Sequence, residues 1–255
     1  IAALILLATG FLKTRRFPSF RQAGIHYLFC GTVGASVPNV LFFIAIENIN
    51  AGAMAVILTL GPIFTYALLL SLSRETIEPR RLIGLAFGFF GGIMIALSGH
   101  ESTTSFNSFY LIALLCPILY ASMSVYVSCR ISSPEHPLLM AGATQLVSFV
   151  VLLPISLATQ QVHLLWVTPD LTDGLIVLHG IIGATAYALL FKIIDLAGPV
   201  FYSFSSYIIA ITGVIWGMLL FSEQLTLAFI VATLAIFSGL YLVNTRHQSA
   251  ESAND

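Results

Sequence analysis

Apolar residues along this chain fill nearly unbroken runs of about 20 positions, the length a helix needs to cross a ~30 Å hydrocarbon core. Nine such runs can be lettered in order: A over residues 1–12, B over 23–46, C over 51–72, D over 80–98, E over 108–128, F over 138–158, G over 174–194, H over 199–221 and I over 225–243. Transmembrane strands would alternate apolar and polar positions over about half that length, whereas these runs are apolar on all sides. The pattern therefore predicts an all-α fold, a polytopic membrane helix bundle. Span A has only twelve residues before Lys13, and the chain starts at Ile1 with neither Met nor a basic leader, so it reads as N-terminally truncated and not as a signal peptide.

Composition agrees with that solvent. Of 255 residues, 58% are hydrophobic and 8% charged, against about 25% charged in an ordinary soluble domain. A cytosolic enzyme is excluded, because the surface must present apolar side chains to lipid. The net charge of −1 offers no basic field for nucleic acid. Cys30, Cys116 and Cys129 form no CxxC and read as small core residues. No HExxH, Walker loop, GxSxG or paired intramembrane aspartates occur, and the six histidines are scattered, so neither a catalytic residue nor a metal or other cofactor is expected.

The few charges orient the bundle. With nine alternating spans, Lys13, Arg15, Arg16, Arg21, Arg74, Arg80, Arg81, Arg130, Lys192 and Arg246 all fall on one side, which the positive-inside rule makes cytoplasmic. The opposite loops carry Glu47, Glu101, Asp170, Asp173 and Glu223, with Trp166 in the longest of them. This places the C-terminus in the cytoplasm and the protein in a cell membrane, read as a bacterial inner membrane.

A weak but ordered internal repeat accompanies these spans. Glu75 and Glu223 each precede by sixteen residues a glycine deep in the next span, Gly91 and Gly239, an offset of 148; Ala51-Gly52 matches Ala197-Gly198 with an offset of 146. One glutamate hairpin is cytoplasmic and the other external, so the copies have opposite topology. Residues 1–100 form the N-terminal repeat and 101–255 the C-terminal repeat with its short tail. A full chain would hold ten helices as five plus five, the first missing here and the second truncated.

The segment NAGAMAVILTLGPIFTYALLLSLSRE, residues 50–75, followed by RRLIGLAFGFFGGIMIALSG, resembles the EamA-type members of the drug/metabolite transporter superfamily. The resemblance rests on Ala-Gly at a helix start, a mid-helix Pro, a hairpin Glu and a Gly-rich following helix. Departures are Ala210 where the first copy has Pro62, and Ser-Arg-Glu and Ser-Glu hairpins instead of the common Gly-Glu. The resemblance implies a cavity between two inverted halves, open alternately to each side, that moves small metabolites.

Candidate residues follow from cost in lipid. Pro38, Pro62 and Pro117 interrupt spans B, C and E and free the carbonyls of Gly34, Leu58 and Ala113. Asn39 is expensive near mid-membrane and is expected inside the bundle, lining a cavity or bonding another helix. Tyr120 and Ser124 on E, Tyr187 on G, and Ser206 and Tyr207 on H offer aromatic faces and hydroxyls for a substrate; as core residues with satisfied hydroxyls they would need none. Small-residue stripes support close helix packing: Gly24, Gly31, Ala35 and Pro38 on B; Gly52, Ala55, Thr59 and Pro62 on C; Gly84, Gly88 and Gly92 on D; Ser203, Ser206, Ala210, Gly213 and Gly217 on H. For proton coupling the candidates are His179, about 7.5 Å inside the outer end of G by helical rise, and Glu47, the alternative for each being a residue of the interface. Lys192 and Asp195 are expected to pair on one helix face.

Taken together, these readings point to a secondary transporter of an amino-acid-like or otherwise weakly charged metabolite, working by alternating access and exporting its cargo. Its partners are the solute and the lipid bilayer, and it acts as a monomer or homodimer. The alternative is a non-transporting polytopic membrane protein, a receptor or assembly subunit.

Overall fold

The computed structural model of the chain describes residues 1–49, 54, 57–97, 108–130, 136–159, 171–209, 211–212, 215 and 227–244. The elements are α1 (Ala2–Thr14), α2 (Phe20–Gly31), a π turn (Thr32–Ser36), α3 (Val37–Ile46), α4 (Gly61–Ser71), α5 (Pro79–Leu97), α6 (Phe109–Arg130), α7 (Pro137–Ala158), α8 (Leu171–Ser203) and α9 (Leu227–Asn244). The protein is an all-α polytopic membrane bundle. Four stretches among the described residues are long and apolar enough to cross a membrane: Phe20–Ile46, Phe109–Cys129, Pro137–Ala158 and Leu171–Ser203. Phe43, Phe90, Phe149, Ile209 and Leu234 lie exposed on helices, as lipid-facing side chains do.

The predicted spans A, B, D, E, F and I coincide with α1, the run from α2 to α3, α5, α6, α7 and α9 to within a few residues. Several expected features fall outside the described residues: Ala51, Gly52, Ala55, Glu101, Trp166, Asp170, Ala210, Gly213, Gly217, Glu223 and Arg246, and the packing around Gly92.

Local chemistry sets where these helices stop. Arg15 closes α1 in the left-handed region (φ 55°), its N–H donating to Phe11 O, with Lys13 in the last turn beside the negative helix end. His136 caps α7, its ring Nδ1 accepting from Leu138 N–H at 3.2 Å, and Pro137 takes the first helical position, where no N–H is required. Burial, and then the nearby Lys13 charge, hold the His136 imidazole below the ordinary histidine range. Between α4 and α5, Tyr66 O–H donates to Thr76 O at 2.8 Å and accepts from Glu78 N–H at 3.1 Å. Arg81 then pairs with Glu75 at 2.7 Å and with Glu78 at 3.5 Å, which fixes the hairpin glutamate to the first turn of α5. Lys192 and Asp195 lie exposed, and the expected ion pair between them does not form.

The chain divides into two compact units, each drawn from both halves of the sequence. One comprises Ile1–Val37 and Tyr126–Leu196, the other Pro38–Val125 and Ala197–Asp255. In the first, α1 packs on α7 and α2 packs on α7. The α1 contact is reciprocal: Gly10 receives Leu139, and Gly142 receives Leu7, with Cδ2 atoms 2.8 and 2.9 Å from where a Cβ would stand. Gly31 is similarly filled by Val147, 2.7 Å from a Cβ position, whereas Gly24 faces open space, so the stripe on span B packs only in its later part. In the second unit α5 packs on α9, where a Cβ on Gly239 would meet Gly84 O at 2.5 Å and Gly88 N at 3.0 Å. Glycines on both helices allow this backbone contact, which replaces the hydrophobic driving force that lipid cannot supply.

Candidate functional site

The site-forming part of the second unit begins at a fault in span B. Pro38 cannot donate to the carbonyl four residues back, and its ring crowds that carbonyl. The chain answers with a wider turn just ahead of it, Thr32–Ser36, in which Val37 N–H reaches Thr32 O, five residues back. Ser36 Oγ donates to Gly31 O at 2.8 Å and lies 2.9 Å from Ser148 Oγ, tying the wide turn to α7 within the first unit.

One residue past the proline stands Asn39, and the structure brings it to Tyr120. Tyr120 O–H donates to Asn39 Oδ1 at 3.2 Å, between positions 81 residues apart, and both side chains are half-buried. Beside them Cys116 Sγ donates to Pro38 O at 3.5 Å. Beneath lies a cluster of Ala45, Ile49, Met54, Ile57, Ala113 and Cys116, on which Tyr120 packs. Of the three prolines expected to break spans, Pro38 follows the π turn, Pro117 lies inside continuous α6, and Pro62 sits in the first turn of α4. The discontinuity in span C is therefore at Thr59–Leu60, and Pro62 starts the next helix there.

The remaining candidates divide. Ser124 is buried and spends its hydroxyl on Ala121 O at 2.9 Å. Ser206 donates to Ser203 O at 2.9 Å and is half-buried, with its Oγ 4.0 Å from a Cβ position on Gly61. Tyr207 is fully buried, its ring edge-on to Phe204 at 5.2 Å and pressed against Gly88. Its hydroxyl finds no hydrogen-bond partner among the described residues. Tyr187 is half-buried and belongs to the first unit. His179 and Glu47 are both exposed.

The chain departs from helical backbone again at Gly198 (φ 81°, ψ 170°), immediately before Pro199, which separates spans G and H. Two features escaped the sequence reading. Asp173, expected in a loop, lies in the first turn of α8 and is buried, the one buried carboxylate among the described residues. His26 on α2 lies 2.5 Å by Nδ1 from Tyr126 Oη on α6. No group of three or more His, Cys, Asp or Glu that might hold a metal occurs among the described residues.

The profile of the EamA-like transporter family matches residues 1–97 and 107–245. The chain belongs to the EamA-like transporter family. A curated relative, the uncharacterized transporter YyaM of Bacillus subtilis (strain 168), is 23% identical over 163 residues, covering 63% of this chain and 53% of the relative. The chain thus matches about half the length of that relative. A solved crystal structure superposes with a TM-score of 0.74 at 16% identity, covering 96% of this chain and 85% of the other, which shows a common fold. The family and the four long apolar helices agree in making this a multi-pass membrane protein.

Proposed function

We propose that this EamA-like protein exports a small, amino-acid-like or otherwise weakly charged metabolite by alternating access, with residues 1–100 and 101–255 as inverted repeats. The observation that carries the reading is the Asn39–Tyr120 hydrogen bond beside the π turn and Pro38. Polar side chains at a helix discontinuity within a span are where transporters of repeat architecture bind cargo. The pair offers an amide, a hydroxyl and an aromatic face but no fixed charge, which favours weakly charged solutes over polyanions. Ser206, Tyr207 and Ser124 of the same unit complete the proposed substrate-binding set, Tyr187 is a further candidate within the first unit, and the discontinuities at Pro38, Thr59–Leu60 and Gly198 supply the places where helices can bend.

The helix pairing supports the repeat. Spans A and F are counterparts under a five-plus-five reading, as are D and I, and α1 packs on α7 and α5 on α9. Helices touch their own counterparts where a two-fold axis runs between them. The cations on one side favour a cytoplasmic C-terminus in a bacterial inner membrane.

The deciding experiment offers a panel of amino acids and related metabolites to inside-out vesicles bearing the full-length protein, with and without an imposed pH gradient. Export appears as accumulation in these vesicles, and Asn39→Ala or Tyr207→Leu lowers the rate without loss of membrane insertion. Wild-type rates in both variants remove these residues from the site. A panel in which nothing moves favours the receptor or assembly-subunit reading.

A further inference from the structure

Span B carries a histidine that no part of the substrate reading uses. His26 lies six residues after the first residue of α2, about 9 Å along the axis by helical rise, and its side chain is half-buried. Its Nδ1 is 2.5 Å from Tyr126 Oη, a contact between positions 100 residues apart in the chain. The two rings are tilted at 52° with centroids 5.6 Å apart, and Phe29, one turn further along α2, lies 4.3 Å from the Tyr126 ring on a flatter approach. Tyr126 is thus held by one aromatic neighbour while its oxygen addresses the imidazole.

We propose that His26 and Tyr126 form the proton-binding site through which this transporter responds to a pH gradient, an inference that rests on the transporter reading above. A histidine inside a membrane segment is costly to keep unless it is used, and imidazole is the side chain that gains and loses a proton near neutral pH. What singles out this pair is that its hydrogen bond survives either state. With Nε2 carrying the ring proton, Tyr126 O–H donates to Nδ1. On uptake the phenolic proton passes to Nδ1 while Tyr126 Oη takes the incoming proton from water, so the pair gains one proton and one positive charge. The N–H at Nδ1 then donates back to Tyr126 Oη.

Release is equally provided for. The ionisable residues on α2 are Arg21, Tyr27 and Cys30 besides His26, those on the last two turns of α6 are Cys129 and Arg130 besides Tyr126, and α7, packed against α2, has none. None is a carboxylate, so no fixed anion on these helices traps the imidazolium, which keeps a neutral hydrogen-bond acceptor only. Arg21 and Arg130 mark this end of both helices as the proposed cytoplasmic end. By contrast His179 and Glu47, the groups expected to couple, are exposed and have no such cross-helix partner among the described residues.

The test has two arms. Full-length protein with 15N-labelled histidine is placed in phosphatidylethanolamine–phosphatidylglycerol vesicles, and ring nitrogen signals are followed over pH 5 to 9, with His26→Gln assigning the resonance. The expected result is a reversible titration of His26 whose midpoint moves by about half a pH unit or more in Tyr126→Phe, since the phenol oxygen no longer serves the imidazolium. A single protonation state across the range, or superimposable curves for the two proteins, overturns the proposal. In the second arm, proteoliposomes loaded from the amino-acid panel are compared with and without a pH gradient, using wild type and His26→Gln matched by size-exclusion profile. The gradient's effect on flux disappears in His26→Gln; a wild-type effect overturns the coupling role. If the wild type moves no solute at all, the transporter reading fails, and the first arm alone decides the proton site.

Discussion

Position 88 is occupied by a hydrogen atom because the ring of Tyr207 fills the space a side chain would need. A Cβ there would stand 2.7 Å from Tyr207 Cζ and closer still to Cε2, and the ring itself is fully buried. Gly88→Ala should cost about 1–3 kcal/mol, the range for overpacking, and Tyr207→Leu should recover part of it because the obstruction is a side chain. Gly239→Ala meets backbone at Gly84 O and has no comparable rescue; equilibrium unfolding in mixed micelles measures both. A second residue, His136, carries a pH dependence. Burial, and then Lys13, hold the imidazole of the folded form below the ordinary histidine range, and the Nδ1 that accepts from Leu138 N–H cannot accept once protonated. Because the unfolded chain takes up the proton more readily, stability should be fully present above about pH 6.5 and fall as the pH drops below it. Thermal unfolding at pH 8 and pH 5 checks the sign, and His136→Asn, which keeps a capping acceptor, should flatten the slope. Among the candidates, Asn39 was legible by its price in lipid and met a partner also named in advance, Tyr120. His26 was not, since nothing in the local sequence announces a tyrosine 100 positions away.

Among the elements, length and hydropathy made α1, α5, α6, α7 and α9 readable to within a few residues, because a bilayer imposes one dimension on every crossing. What hydropathy does not encode is the course of the backbone within a span. Thr32–Ser36 is as apolar and small as its surroundings, yet forms a π turn because Pro38 lies two residues beyond its end. Pro62 reads as a mid-span interruption and is instead the start of a helix, the break having moved to the two residues before Gly61. The junction within α8 is held at Gly198, whose φ of 81° and ψ of 170° suit a residue without a Cβ. Gly198→Ala should therefore destabilise by about 1–3 kcal/mol, read as a lower melting temperature with unchanged helical content by circular dichroism.

For the whole molecule, two compact units each gather helices from both ends of the chain, an arrangement that span counting does not foresee because it depends on which helices pair. Orientation belongs to this scale too. A fluorescent protein fused to the C-terminus of the full-length chain should mature and fluoresce, and alkaline phosphatase fused there should stay inactive; the reverse pattern would invert the topology. The π turn also reaches beyond its own five residues. A turn closed five residues back holds about one residue more than an α-helical turn, so the helix after it is rotated by roughly 100° relative to the register before it. Gly31 and Asn39, eight apart, would stand about 80° apart on an ideal helix, and the extra residue shifts that angle by about 100°; Gly31 meets α7 and Asn39 meets α6. A cysteine-labelling scan along residues 20–46 would trace two sinusoids with a phase slip at Ser36. Within span B the π turn is therefore the point from which helical register must be counted afresh.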